Sequence, residues 1–128
     1  MSDNPLASIL EMDGEERYDF FLDAVVEERE LWILINTENQ FLKIVSDEDG
    51  VGYLPVWPSE DFAANYAGPS SDLRPKALSL PDFFNKWVPG LTRDGLEIGV
   101  LPGADGELWI TMPEELKKDL QEVMSTAF

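Results

Sequence analysis

The chain lacks histidine and cysteine, and it has few positive charges. Its 128 residues include 26 acids but only 9 lysines and arginines, so the formal net charge is −17. Without imidazole or thiol groups, the chain has no cysteine nucleophile, no ordinary base near pH 7 and none of the preferred ligands of zinc, copper or haem iron. We therefore expect no transition-metal site and no cofactor, and we assign no catalytic residue.

Long apolar segments are also missing. The longest apolar run, Leu31–Ile35, is far shorter than the ~20 residues of a membrane helix. Residues 1–12 lack the basic and apolar parts of a signal peptide, and the absence of cysteine gives no sign of secretion. The negative charge repels phosphate backbones and anionic lipids. We expect a cytoplasmic protein without nucleic-acid or membrane partners, and the oligomeric state stays open.

Length and composition are typical of one folded domain, since 44% of the residues are hydrophobic. We expect residues 1–12 to form a loose lead-in and residues 13–128 to form a single domain. Helical spacing of apolar residues begins after Asp13, a suitable N-cap, and continues through one stripe. The stripe consists of Tyr18, Phe21, Leu22, Val25 and Val26.

Three further helices are predicted to begin at Pro58, Ser79 and Pro113. The second of these should end before Pro89, because proline breaks a helix interior. Strands are predicted at 31–35, 41–45, 51–57, 96–101 and 108–111, with a short strand at 77–78. Tight turns between neighbouring strands indicate an α+β fold with a mainly antiparallel sheet of about five or six strands and helices packed against it. Because Leu31–Ile35 is apolar on both faces, we expect it inside the sheet.

The acids of the first helix are arranged unfavourably for the helix itself. Asp19, Asp23 and Glu27 form a like-charged i, i+4 ladder, and each such pair costs about 0.2–0.5 kcal/mol. Three explanations stay open: a solvated face, in keeping with a proteome adapted to high salt; a face neutralised by Arg74 or Lys76; or a docking surface for a basic partner.

Two weaker candidates complete the set. Trp57 follows a predicted strand and precedes a helix, so it is the tryptophan best placed for a binding role at the surface, although burial in the core is the commoner fate of tryptophan. Asp47-x-Asp49-Gly50 has some likeness to a calcium loop, but the remaining ligands are missing and a hairpin turn explains it better.

These patterns favour a non-catalytic interaction module for a basic protein, which would be a basic toxin if the chain acts as an immunity protein. The alternative is a hydrolase that works with carboxylates alone. Such an enzyme needs two acids in one pocket, about 5–10 Å apart. The sequence singles out no such pair.

Several motifs resemble a known family. Val56-Trp57-Pro58-Ser59 resembles the signature of the bacterial family called domain of unknown function 2750. Further likeness lies in Arg17-Tyr18-x-x-Phe21, Leu80-x-x-Phe83-x-x-x-Trp87-x-x-Gly90-Leu91, Val100-x-Pro102 and Pro113-x-Glu115-Leu116. The resemblance runs from about Arg17 to Leu120. It implies a small, single-domain, cytoplasmic bacterial protein, and it supplies no activity, cofactor or catalytic residue.

Overall fold

A computed structural model describes residues 9, 11–45, 50–68, 72–101 and 109–127. The principal helices are α1 (Gly14–Glu28), α2 (Glu60–Ala67), α3 (Leu80–Asp82), a π-helical segment (Phe83–Trp87), α4 (Val88–Asp94) and α5 (Pro113–Ala127). The strands are β1 (Glu30–Ile35), β2 (Ile44–Val45), β3 (Gly52–Val56), β4 (Arg74–Ser79), β5 (Glu97–Val100) and β6 (Trp109–Thr111). Most of the expected lead-in (1–8 and 10), Asp47–Asp49 and the predicted turn at 103–106 lie outside the described residues.

Helix α1 begins and ends through local hydrogen bonds. The Asp13 carboxylate accepts from the Glu16 backbone N–H at 2.8 Å, which confirms the predicted N-cap. At the other end Arg29 adopts a left-handed conformation (φ 60°), and its N–H donates to the Val25 carbonyl at 2.7 Å. The chain therefore turns at once into β1. All five residues of the predicted stripe are buried.

The strands form two sheets, so the prediction of one mainly antiparallel sheet was wrong. One sheet is the antiparallel pair β1–β4, and the other has the order β2-β3-β5-β6. Its central pair, β3 and β5, is parallel. Tight turns indicate only which sequential neighbours pair, whereas β3 and β5 are separated by α2, β4 and the helix that follows. The α+β class itself is confirmed.

Among the described residues, the two sheets are joined by an isolated bridge between two tryptophans. Trp32 and Trp57 exchange backbone hydrogen bonds of 2.8 and 2.9 Å. This bridge sets β1 beside the end of β3. The expectation that Leu31–Ile35 lies inside the sheet was wrong, because β1 is one strand of a two-stranded sheet. The strand is still largely buried: Leu31, Ile33 and Leu34 are fully buried, whereas Trp32 is half-buried. Buried apolar residues from both sheets and from the helices form one core cluster, although Tyr53 is not part of it.

The helix that starts after Ser79 does not end before Pro89, contrary to the prediction. The Ser79 hydroxyl caps it as expected, accepting from the Asp82 N–H at 3.3 Å. Helical conformation then continues through the π-helical segment, where the Val88 N–H donates to the Phe83 carbonyl five residues earlier. The regular ladder is thus already interrupted where Pro89 lacks its N–H, so the proline is accommodated. We call residues 80–94 the π-containing helix.

Two smaller differences concern the sheet edges. Residues 74–75, predicted as loop, belong to β4, which pairs along the whole of β1. Of the strand predicted at 41–45, only Ile44–Val45 forms β2, while Phe41 makes an isolated bridge to Ile35. As a result the segment from Asn36 to Phe41 turns back beside β1, close to the π-containing helix.

Candidate functional site: an acidic groove between the first and last helices

The predicted acidic ladder is exposed. Asp19, Asp23 and Glu27 all have solvent-accessible side chains, and none forms an ion pair with another described residue. The explanation by internal neutralisation is not supported: the Arg74 guanidinium donates to the Asn39 side chain at 2.8 Å, and Lys76 makes no ion pair in the described ranges. The negative charge of this face therefore points to solvent.

Helix α5 adds two acids to the same face. Asp119 and Glu122 lie across from Asp19 and Asp23, and the four line a groove of about 570 Å³. Leu22 and Val123 contribute apolar surface to it, and Tyr18 and Thr126 complete the lining. Glu27 does not line this groove. We call this surface the acidic groove.

Sequence reasoning missed Asp119 and Glu122. They lie about a hundred positions from Asp19, and only the packing of α1 against α5 brings the two pairs together. The available signal was their position beside the apolar stripe of α5, where Leu116 and Leu120 are buried. A charged residue that borders a buried stripe lies at the rim of whatever the helix packs against.

Tyr18 fixes the geometry of the groove. Its ring is 8% exposed and stacks on Trp109, with 5.1 Å between the ring centroids and 21° between the planes. Its hydroxyl donates a hydrogen bond to the Asp119 carboxylate. Burial, together with the nearby Asp119 carboxylate, raises the pKa of Tyr18 well above its ordinary value, so the hydroxyl keeps its proton. Asp119 is therefore held in place, half-buried, at the junction of α1 and α5.

Sequence reasoning assigned Arg17 to no site. In the structure its buried side chain connects α1 to residues outside the helix. Its side chain is 1% exposed; Nε donates to the Leu101 carbonyl at 3.1 Å and Nη1 donates to the Met12 carbonyl. Leu101 has a left-handed backbone (φ 43°), which is costly for a leucine, and the arginine bond holds that carbonyl. The missed signal was the i, i+4 spacing of Arg17 and Phe21, which places a charge on the buried face.

The structure places Trp57 away from this surface. Its side chain is 1% exposed, and its ring contacts that of Tyr66 with 5.1 Å between centroids. Its backbone forms the bridge to Trp32. Trp57 is a core residue that connects the two sheets, and it does not line the acidic groove.

The chemistry available in the acidic groove is that of exposed carboxylates. Asp19, Asp23 and Glu122 are exposed, and Asp119 accepts the bond from Tyr18. Among the residues that the structure describes, no group of three or more acids is arranged to hold a metal ion. No helix in the described part of the chain is both long and apolar enough to cross a membrane. The arrangement offers negative charge around a strip of apolar surface.

Comparison with known proteins gives a family but no activity. No curated protein matches the chain. A family profile described as a protein of unknown function, DUF2750, matches residues 18–120, nearly the span over which the sequence motifs had indicated the resemblance. Because this match covers most of the chain, the protein belongs to the DUF2750 family.

Proposed function

We propose that the protein is a non-catalytic binding module that docks a basic protein on the acidic groove. The observation that carries this proposal is the juxtaposition of Asp19 and Asp23 with Asp119 and Glu122 around Leu22 and Val123. Like charges this close repel one another, and a partner with lysines or arginines would remove that repulsion on binding. Binding of such a partner would then explain why α1 keeps acids that destabilise the helix.

The shape of the groove indicates the form of the partner. Two packed helices with a shallow apolar strip between acidic rims complement an amphipathic helix that has a narrow apolar face flanked by lysine and arginine. Apolar contacts to Leu22 and Val123 would supply affinity, and the four carboxylates would supply orientation and speed of association. The net charge of −17 attracts such a partner from a distance and disfavours nucleic acid and anionic lipid. The proposal places this encounter in the cytoplasm.

The acidic groove holds several acids, as a carboxylate hydrolase requires, but it does not meet the second requirement of such an enzyme. A general acid needs a carboxyl group that burial keeps protonated. Three of the four carboxylates in the acidic groove are exposed, and the fourth accepts a hydrogen bond from Tyr18. We therefore propose binding alone.

A capture experiment with charge-matched variants tests the proposal. The groove variant carries Asp19→Asn, Asp23→Asn and Glu122→Gln, and Asp119 is kept because it bonds Tyr18. The control variant carries Glu28→Gln, Glu38→Gln and Asp72→Asn, which removes the same charge from exposed positions that do not line the groove. From extract of the source cells, the wild type and the control should retain a basic protein that the groove variant loses. Equal recovery by all three proteins would contradict docking in the groove.

A further inference from the structure

A second groove has a different chemistry. It lies between the segment 39–43 and the π-containing helix, and it consists of two cavities of about 180 and 750 Å³ that share Phe41 and Asp94. The larger cavity falls in the volume range of small-molecule sites. We call it the lysine-rimmed groove, because Lys43 and Lys86 both line it.

The apolar part of this groove is aromatic. Phe41 and Trp87 are both half-buried, and their rings meet edge to face with 5.4 Å between centroids. Trp87 is the last residue of the π-helical segment, and such interruptions of a helix frequently occur at functional sites. Part of each ring lines the groove, where a planar aromatic ligand can pack against it.

The charges favour an anion. Among the described residues, two lysines line the groove against one acid, Asp94, and that acid lies 3.7 Å from the Arg93 guanidinium. Lys86 makes only an exposed contact of 3.8 Å with Asp82, and a pair of this kind is weak enough to exchange partners. Lys43 forms no ion pair within the described ranges. Charges more than ~8 Å away are largely screened at physiological salt, so the local balance depends on the described residues that line the groove.

Gly90 adds open space to the groove. It lies inside α4 and lines the groove between Trp87 and Leu91. Its φ is not positive, and a Cβ added there would meet only Arg93 Nη2, at 3.9 Å, among the described atoms. Alanine would therefore fit and would favour the helix. A glycine that the backbone does not require leaves open space above the helix, beside the two aromatic rings.

We propose that the lysine-rimmed groove binds a small planar anion, a molecule that joins an aromatic ring to a carboxylate or a phosphate. The ring packs on Phe41 and Trp87 over Gly90, and the anionic group contacts Lys43 and Lys86. This site is separate from the acidic groove and does not depend on the basic partner.

Titrations of the ¹⁵N-labelled full chain test this site. The probes are 2-naphthoate, 2-naphthyl phosphate and, as the control of opposite charge, 2-naphthylmethylammonium. The two anionic probes should shift the Trp87 indole and Gly90 amide signals in a saturable way, and they should bind at least about fivefold more tightly than the cation, the ratio expected for a pairing at the protein surface. Whichever anion binds more tightly identifies the preferred anionic group.

Two variants make the test specific. Gly90→Leu fills the groove and should abolish the shift at Trp87, with thermal unfolding showing that the variant is folded. Lys43→Gln, an exposed substitution, should weaken 2-naphthoate binding about fivefold and leave the cation unaffected. The charge variant of the acidic groove should bind 2-naphthoate as the wild type does. The site is refuted if neither anion shifts Trp87 and Gly90 at concentrations up to about 1 mM, if the cation binds equally well, or if Gly90→Leu keeps wild-type affinity.

Discussion

The acidic groove and the lysine-rimmed groove both place charged side chains beside apolar surface, but the sign of the lining charge differs. The first lies between α1 and α5 and has four carboxylates around two aliphatic side chains. The second lies between the 39–43 segment and the π-containing helix and has two lysines beside two aromatic rings. The net charge of −17 agrees with the charge of the first groove but gives no indication of the second. The difference shows that lysines can line one groove of a strongly acidic chain, which the total charge does not reveal.

The largest expected effect is a loss of stability when the buried side chain of Arg17 is removed. Arg17→Ala removes the bonds to the Leu101 and Met12 carbonyls and leaves both acceptors beside a cavity. We expect the free energy of unfolding to fall by about 3 kcal/mol. The acidic groove should also loosen, because α1 is one of its walls, whereas the shifts of Trp87 and Gly90 should change little. Denaturant unfolding and an amide spectrum measure both. If the amide signals of both grooves changed equally, the two grooves would not be structurally independent.

Tyr18→Phe removes one hydrogen bond at the junction of α1 and α5. Because the acceptor is the charged Asp119, we expect a loss of about 2 kcal/mol in the free energy of unfolding. Affinity for a basic partner should also fall, since Asp119 is no longer held. Stability unchanged by the substitution would show that the bond does not position Asp119. Tyr53→Phe, at a buried tyrosine outside the acidic groove, is the matched control for partner binding.

Alkaline pH should test the same bond without mutation. The folded protein raises the pKa of Tyr18 above the unfolded value of about 10, so the folded state retains a proton that the unfolded state loses. Stability is therefore complete below about pH 10 and declines as pH rises, by up to about 1.4 kcal/mol per pH unit for this group. Burial also raises the pKa of Tyr53. Tyr18→Phe should thus reduce the slope without abolishing it, and an identical slope in the variant would contradict this assignment.

The sequence predicted those features that depend on neighbours along the chain. Asp13 and Ser79 could be identified at helix starts from residue type and local spacing. In the structure each side chain accepts a hydrogen bond from the N–H three residues ahead. The parallel pairing of β3 with β5 was missed because it joins distant segments, and β4 was missed in part because Arg74, Pro75 and Lys76 have the composition of a loop.

The candidate sites show the same contrast between features that depend on local sequence and features that depend on tertiary packing. Asp19 and Asp23 could be identified from the spacing along one helix, whereas Asp119 and Glu122 required the packing of α5 on α1. Nothing in the sequence indicated the lysine-rimmed groove, because it depends on the continuation of a helix past Pro89. A proline inside a periodic segment normally indicates a helix end, and the π turn that accommodates it has no sequence signature.

Gly90→Ala contrasts stability with binding in the lysine-rimmed groove. The substitution should stabilise the protein by about 0.8 kcal/mol, the difference in helix propensity, because the new methyl group meets only an ordinary contact. It should weaken binding of the proposed aromatic anion and leave binding at the acidic groove unaffected. Thermal unfolding measures the gain, and a lower midpoint would show that Gly90 serves the fold.

Asp23→Asn makes the corresponding contrast in the acidic groove, with the smallest expected effect. It removes the repulsion of Asp23 with Asp19 and Glu27, so the free energy of unfolding should rise by about 0.5 kcal/mol at low salt, and the gain should shrink as salt screens the charges. Asp72→Asn, an exposed acid outside helices and strands, should produce no such gain. A loss of stability in the Asp23 variant would contradict a self-repelling ladder.

The most direct test of the account is the affinity of the acidic groove for a helix of known chemistry. A fluorescent amphipathic peptide of leucine and lysine is titrated into the wild type, the groove variant (Asp19→Asn, Asp23→Asn, Glu122→Gln) and the control variant (Glu28→Gln, Glu38→Gln, Asp72→Asn) at low and high salt. We predict that affinity falls about tenfold or more in the groove variant, roughly 0.5 kcal/mol for each lost charge pair, and stays near wild type in the control. High salt should abolish that difference. Equal weakening in both variants would show that net charge alone attracts the peptide, and it would contradict a docking site in the groove.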